Sequence, residues 1–361
     1  VPLADELLGA DTVAGLAACL VRAGDGITAR ETRACGAVLD GLSFTGRVAL
    51  IRDAVLADLP PDYPDFAAVL RAALRDGDFT GWMTFPVAEA VAVRGRDVFE
   101  PALALLAELT PRLTAETAVR PFLRDDPERA LRVMMPWTAH PDPHVRRLVS
   151  EGTRPRLPWA PRLPELIADP TPALPLLDAL YRDDSEYVRR SVANHLNDIS
   201  RDHPDLAVAV AARWLDDPAP TTDRVVRHGL RTLIKAGHAG ALTLLGHSPD
   251  SPVAVEGPHL HASEIRVGDH LVFDCSVTNT HDRTAHLVVD YVVLHMKANG
   301  TRTPKVFKLT TRSLAPGETW RASRRHSFKP ISTRRYHAGV HQVRLQVNGR
   351  PHGEASFMLH T

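Results

Sequence analysis

The sequence predicts a mainly α chain in two parts, a helical-repeat solenoid followed by an all-β sandwich. Three observations predict it. Apolar residues recur at three- and four-residue intervals up to about residue 246, a short motif recurs three times within that stretch, and Val-rich alternating runs with turn dipeptides follow it. The 361 residues, 44% hydrophobic and 24% charged, are enough for two separate cores.

The helical part, residues 1–246, shows its period in Leu103, Leu105, Leu106 and Leu109 before Pro111, and in Leu174, Leu176, Leu177 and Leu180. Asp142-Pro143-His144-Val145-Arg146-Arg147 returns as Ser185-Glu186-Tyr187-Val188-Arg189-Arg190, and again as Asp223-Arg224-Val225-Val226-Arg227. Each copy reads as a polar N-cap opening the second helix of a pair, with Pro143 at the favoured first helical position. Spacings of 43 and 38 residues fit HEAT-like pairs stacked side by side.

After Gly246 the grammar changes. Residues 247–257 read as a linker and 258–361 as an immunoglobulin-like sandwich. His270–Thr278, His286–Met296 and Val340–Val347 are strands, and Asn299-Gly300 and Asn348-Gly349 are hairpin turns.

Composition removes several classes. No apolar run reaches the ~20 residues of a membrane span, and no signal-peptide pattern opens the sequence, so a cytoplasmic protein is expected; a monomer with no obligate protein partner is expected as well. Cys19, Cys35 and Cys275 suit neither a disulfide framework nor a CxxC metal site. Eleven of the 18 histidines follow residue 250, but without metal-ligand spacing, so neither metal nor other cofactor is expected. The zero net charge hides a split: 15 Lys and Arg against 8 Asp and Glu from residue 251 onward, 28 against 35 before it. A basic C-terminal part can meet a polyanion.

On a helical wheel, Val188, Val192, His195 and Ile199 share the buried side, while Arg190, Asn194 and Asp198 line one flank. Val145, Val149 and Gly152 turn inward, with Arg147 and Glu151 on the equivalent flank; His228 and Thr232 occupy it in the third copy. The second helices of stacked pairs share one surface, so these flanks should meet. Taken alone, Arg147–Glu151 and Arg190–Asn194 are also ordinary i,i+4 surface pairs.

Longer blocks add a resemblance. Ser150-Glu151-Gly152-Thr153-Arg154-Pro155-Arg156-Leu157-Pro158-Trp159 is similar to the SEGxRPRLPW signature of AlkC-type DNA glycosylases. The stretch from Ser185 to Ile199 resembles that family's SEYVRRSVANxLNDI block. Ala115–Leu123 is similar to its EFAxRPF segment, with Thr117 where the family favours an aromatic, and Arg227–Leu233 to a further block. The blocks run in order and the resemblance spans nearly the whole chain. It implies a monofunctional glycosylase of base-excision repair. Such an enzyme hydrolyses the N-glycosidic bond of 3-methyladenine and 3-methylcytosine in duplex DNA, with 1-methyladenine a further candidate, without fully flipping the base. Carried over residue by residue, Glu116, Glu151 and Asp198 would be the catalytic acids and Trp159 an aromatic contact. Arg147, Arg154, Arg156, Arg189, Arg190 and Arg227, with Asn194, would hold DNA, joined by Arg324, Arg325 and Arg334 of the β-part. Two other classes account for the repeats, a catalytically silent scaffold and a protein that binds damaged DNA without cutting it.

Overall fold

The computed structural model describes residues 4–331 and 334–361. Helices fill the chain from Ala4 to Leu244, and strands follow from Val253. The leucines that marked the helical period are all buried: Leu103, Leu105, Leu106 and Leu109, then Leu174, Leu176, Leu177 and Leu180. Among the described residues no helix is long and apolar enough to cross a membrane.

The recurring motif opens helices Pro143–Gly152, Glu186–Ile199 and Thr222–Gly229. What repeats is an arginine clamp more than a cap. Arg146 Nη1 donates to the carbonyls of His140 (2.8 Å) and Pro141 (2.9 Å). Arg189 Nη1 does the same with Asp183 and Asp184, so the first two copies tie their helix to the turn before it, whereas Arg227 of the third pairs with Asp223 within its own helix. Asp142 caps as expected, accepting from His144 N at 2.7 Å. Ser185 does not: its side chain caps nothing, and its own N–H donates to Asp183 Oδ1 at 2.8 Å. Asp223 lies inside the third helix, which begins one residue earlier. That helix stops at Gly229, and Thr232 belongs to the next helix, Arg231–Ala236. Gly229 permits a close crossing, since a Cβ there would stand 2.8 Å from Leu196 Cδ2.

The chain packs as two compact units, one running to Asp202 with Trp214–Gly229, the other combining His203–Arg213 with Leu230–Thr361. Helix gives way to strand between Leu244 and Val253, but the division in packing falls before Leu230. Strand β1 (Val253–Leu260) also starts earlier than residue 258.

In the second unit, β1 pairs with β3 (His270–Asn279) and β3 with β6 (Thr319–Ser327). The facing sheet runs β2 (Glu264–Arg266), β8 (Arg350–His360), β7 (Gly339–Val347), β4 (Ala285–Met296) and β5 (Arg302–Leu314). All pairings are antiparallel except β2–β8. Leu271, Phe273, Tyr291, Val293, Val343, Leu345 and Phe328 fill the space between the sheets. Asn348-Gly349 joins β7 to β8 with φ of 44° and 79°, the double left-handed turn that matches strand twist. Asn299-Gly300 instead sits in a longer connection, where Asn299 Oδ1 accepts from Thr301 N. The Asn348 turn also docks the last helices. A Cβ on Gly237 would lie 2.6 Å from Gly349 Cα, Gln346 Nε2 donates to Lys235 O at 3.2 Å, and Asn348 Nδ2 to Ser248 O at 2.7 Å.

Candidate active site

Glu151 stands on the last turn of helix Pro143–Gly152, and Gly152 decides what that turn touches. A Cβ on Gly152 would lie 2.6 Å from Cγ2 of Val119, itself fully buried. Glycine therefore lets the helix end pack onto the segment that carries Glu116. In the next repeat, His195 ties its helix to the same place. Its Nδ1 donates to Ser150 O at 3.0 Å, and complete burial pushes its pKa down to about 3, so the ring stays neutral.

These contacts assemble a line of alternating charge. Glu116 Oε2 accepts from Thr114 Oγ1 and from Arg147 Nη1, both at 2.6 Å. Arg147 Nη2 lies 3.5 Å from Glu151 Oε1, and its guanidinium sits 4.9 Å from the Tyr187 ring centroid. Glu151 accepts from Arg154 Nη1 and from Ser191 Oγ, both at 2.6 Å. Arg154 Nε donates to Asp198 Oδ2 at 2.8 Å. Glu116, Glu151 and Asp198 are thus brought together through Arg147 and Arg154, three carboxylates against two guanidiniums. Glu151, Arg154 and Asp198 are buried. Burial opposes both guanidinium charges. The carboxylates outweigh it and hold Arg147 and Arg154 above the ordinary arginine value.

Arg154 reaches this line from the loop after Gly152, which also carries Trp159. Trp159 is 83% exposed and adopts φ +63°, a left-handed conformation uncommon for a bulky residue. The other tryptophans behave differently. Trp214 is buried, stacks on Tyr181 at 4.9 Å and donates to Asp178; Trp82 and Trp137 are partly buried. Among the described residues no group of three or more His, Cys, Asp or Glu is arranged to hold a metal.

Comparison with known proteins agrees with this architecture. Residues 254–361 match the family model described as "Uncharacterised protein YhaZ, C-terminal Ig-like domain". The chain is 35% identical over 318 residues to "Uncharacterized protein YhaZ" of Bacillus subtilis (strain 168), covering 88% of each. It superposes on the alkylpurine DNA glycosylase AlkC of Pseudomonas fluorescens, solved bound to DNA containing an abasic site analogue. That superposition has a TM-score of 0.91, 35% identity and full coverage of both chains. The chain belongs to the AlkC family.

In this AlkC-family chain the helical arginines proposed from sequence are already engaged. Arg156 makes two 2.9 Å bonds to Asp202. Arg190 pairs with Glu186 at 3.0 Å, Arg227 with Asp223 at 2.7 Å, and Arg189 clamps its own turn. Asn194 Oδ1 accepts from His228 Nε2 at 3.0 Å, so the flanks of the second and third repeats do meet. In the sandwich unit, Arg325 bonds His270 and Arg334 bonds His295, each at 3.0 Å, while Arg324 lies over Tyr291 at 5.7 Å. Two further cations of this unit, not singled out from the sequence, also lie over rings: Lys305 over Phe307 at 5.8 Å and Arg312 over Trp320 at 5.6 Å. The sequence reading missed Ser191, although seven residues before Asp198 is the same helical face.

Proposed function

We propose that this protein is a DNA-repair glycosylase that hydrolyses the N-glycosidic bond of cationic alkylated bases in duplex DNA. The bases are 3-methyladenine and 3-methylcytosine, and by the same chemistry 1-methyladenine. The observation that carries the reading is the run Glu116–Arg147–Glu151–Arg154–Asp198 beside an exposed Trp159. Its setting in a family whose Pseudomonas member is an alkylpurine DNA glycosylase supports the same conclusion.

The chemistry follows from charge. An alkylated base bearing a positive charge is already a good leaving group and needs no general acid. As the bond breaks, positive charge moves to the sugar, in a transition state resembling an oxocarbenium ion. Preorganised carboxylates favour that charge, and three of them, Glu116, Glu151 and Asp198, are linked here through Arg147 and Arg154. Asp198 orients the attacking water. Glu151 and Glu116 act electrostatically, while Arg147 and Arg154 fix their directions. Trp159 contacts the duplex beside the lesion, and no pocket for a fully flipped base is required. Arg156, Arg189, Arg190 and Arg227, with Asn194, flank the duplex. Exposed ion pairs such as Arg190–Glu186 are worth only ~0–1 kcal/mol, so phosphate can replace the carboxylate. Arg324, Arg325 and Arg334 supply phosphate contacts from the sandwich.

The test is release of methylated base from methylated duplex by the purified full-length chain. Release that scales with enzyme is expected. Binding of that duplex without release would make the protein a damage binder, and neither would make it a scaffold.

A further inference from the structure

Arg120 opens helix Arg120–Asp125 and is 1% exposed, yet no carboxylate among the described residues pairs with it. Its partners are backbone carbonyls at the two ends of one loop, that between helix Pro143–Gly152 and the next. Nη1 donates to Gly152 O at 3.0 Å and Arg154 O at 2.9 Å, and Nε donates to Pro161 O at 2.7 Å. Gly152 and Arg154 begin the loop; Pro161 ends it. One planar guanidinium therefore pinches the base of a segment whose far side carries Trp159 at φ +63°. The loop needs an outside clamp. Pro155, Pro158 and Pro161 supply no N–H, and the backbone bonds within it are few and long, such as Ala160 N to Leu157 O at 3.4 Å and Leu163 N to Pro155 O at 3.2 Å.

A buried charge of this kind is a poor choice for stability alone. Burial, and after it the repulsion of Arg154, push the Arg120 pKa down to about 10, which still leaves it charged at neutral pH. Apolar residues of similar volume usually stabilise such positions at least as well. The fork does something a hydrocarbon cannot, because it satisfies three carbonyls of one loop and fixes the spacing between the two ends.

We propose that Arg120 is a positioning residue: by clamping both ends of the 152–161 loop it sets Arg154 between Glu151 and Asp198 and presents Trp159 to the duplex. This rests on the glycosylase reading for its activity arm only. Arg120→Lys keeps a charge but replaces the planar fork with a point donor. It should lower the rate of base release at saturating duplex, on the order of a hundredfold, as small misplacements at a reacting site do, while the apparent affinity for duplex changes little. In a Trp159→Ala background the same substitution should cost distinctly less, because one route of its effect is already gone. Independently of activity, the hydrogen-bonded amides of Ala160 and Leu163 in the wild type should exchange with solvent as slowly as those of helix Arg120–Asp125, and faster in Arg120→Lys. Equal fold losses in both backgrounds, or loop amides that exchange freely in the wild type, would overturn the proposal. If Arg120→Lys fails to fold, wild-type exchange still decides. If the wild type releases no base, the glycosylase reading fails while the exchange arm still tests the clamp.

Discussion

Replacing Asp198 by Asn removes one charge and almost nothing else. The side chain is 2% exposed and its Oδ2 receives Arg154 Nε at 2.8 Å; an amide oxygen fits the same space and still accepts that bond. Two consequences separate. For stability, a charge-assisted hydrogen bond becomes a neutral acceptor's, roughly halving it. Arg154 keeps Glu151 at 2.6 Å, so its charge is not abandoned, and the loss should be about 1–2 kcal/mol. For catalysis, a carboxylate aimed at developing positive charge is lost. Single preorganised groups of that kind are worth ~2.7–4 kcal/mol, a rate loss on the order of a hundred- to a thousandfold. Single-turnover release of 3-methyladenine, measured beside thermal unfolding and duplex affinity, separates the two. A slow, folded variant with wild-type affinity is expected. A folded Asp198→Asn that releases base at the wild-type rate would refute the role given to Asp198.

Gly152→Ala puts a methyl 2.6 Å from the buried Val119; overpacking of this sort costs ~1–3 kcal/mol, to be read as a lower Tm, and it should slow base release by moving Glu151 away from Glu116. Burial holds His195 and His295 at about 3 and His326 at about 4, below the ordinary 6.5. The unfolded chain therefore binds more protons below pH 6.5, so stability present above that value should fall through pH 6 to 4, by ~1.4 kcal/mol per pH unit for each such histidine; a Tm flat across that window would contradict the assignment. Removing everything after residue 250 deletes 15 Lys and Arg against 8 Asp and Glu and strips helices Arg231–Ala236 and Ala239–Leu244 of the Gly349 turn they rest on. Duplex affinity should drop and its salt dependence flatten, and those two helices should lose exchange protection; equal Kd and slope would show that the sandwich does not touch DNA.

Much of this was legible in the residues, and the parts that were not share a cause. Periodicity sorts residues by face, and the faces it gave hold: Val145, Val149, Val188, Val192, His195 and Ile199 are all buried. Periodicity says nothing about what arrives from elsewhere in the chain. Arg154 enters between Glu151 and Asp198 from a loop that no helical wheel includes, and Arg120 reaches across more than thirty residues to hold that loop. Turn chemistry misled at Ser185, because Asp183 two residues earlier does the bonding. The third repeat is shorter than its period suggests, because Gly229 serves a close crossing on Leu196 and the helix ends there. A composition shift marks where strands begin, but not that the last helices pack with them through two glycines.

On the proposed function, three carboxylates held by two arginines serve to cleave the bond to a cationic base. Single-turnover release from one duplex carrying 3-methyladenine and from another carrying a neutral alkylated base such as 1,N6-ethenoadenine tests it most directly. Release of the cationic base with an abasic site left in the strand, and little or none of the neutral one, is expected. Equal release of both, or release of neither by a folded protein that binds the duplex, would contradict it.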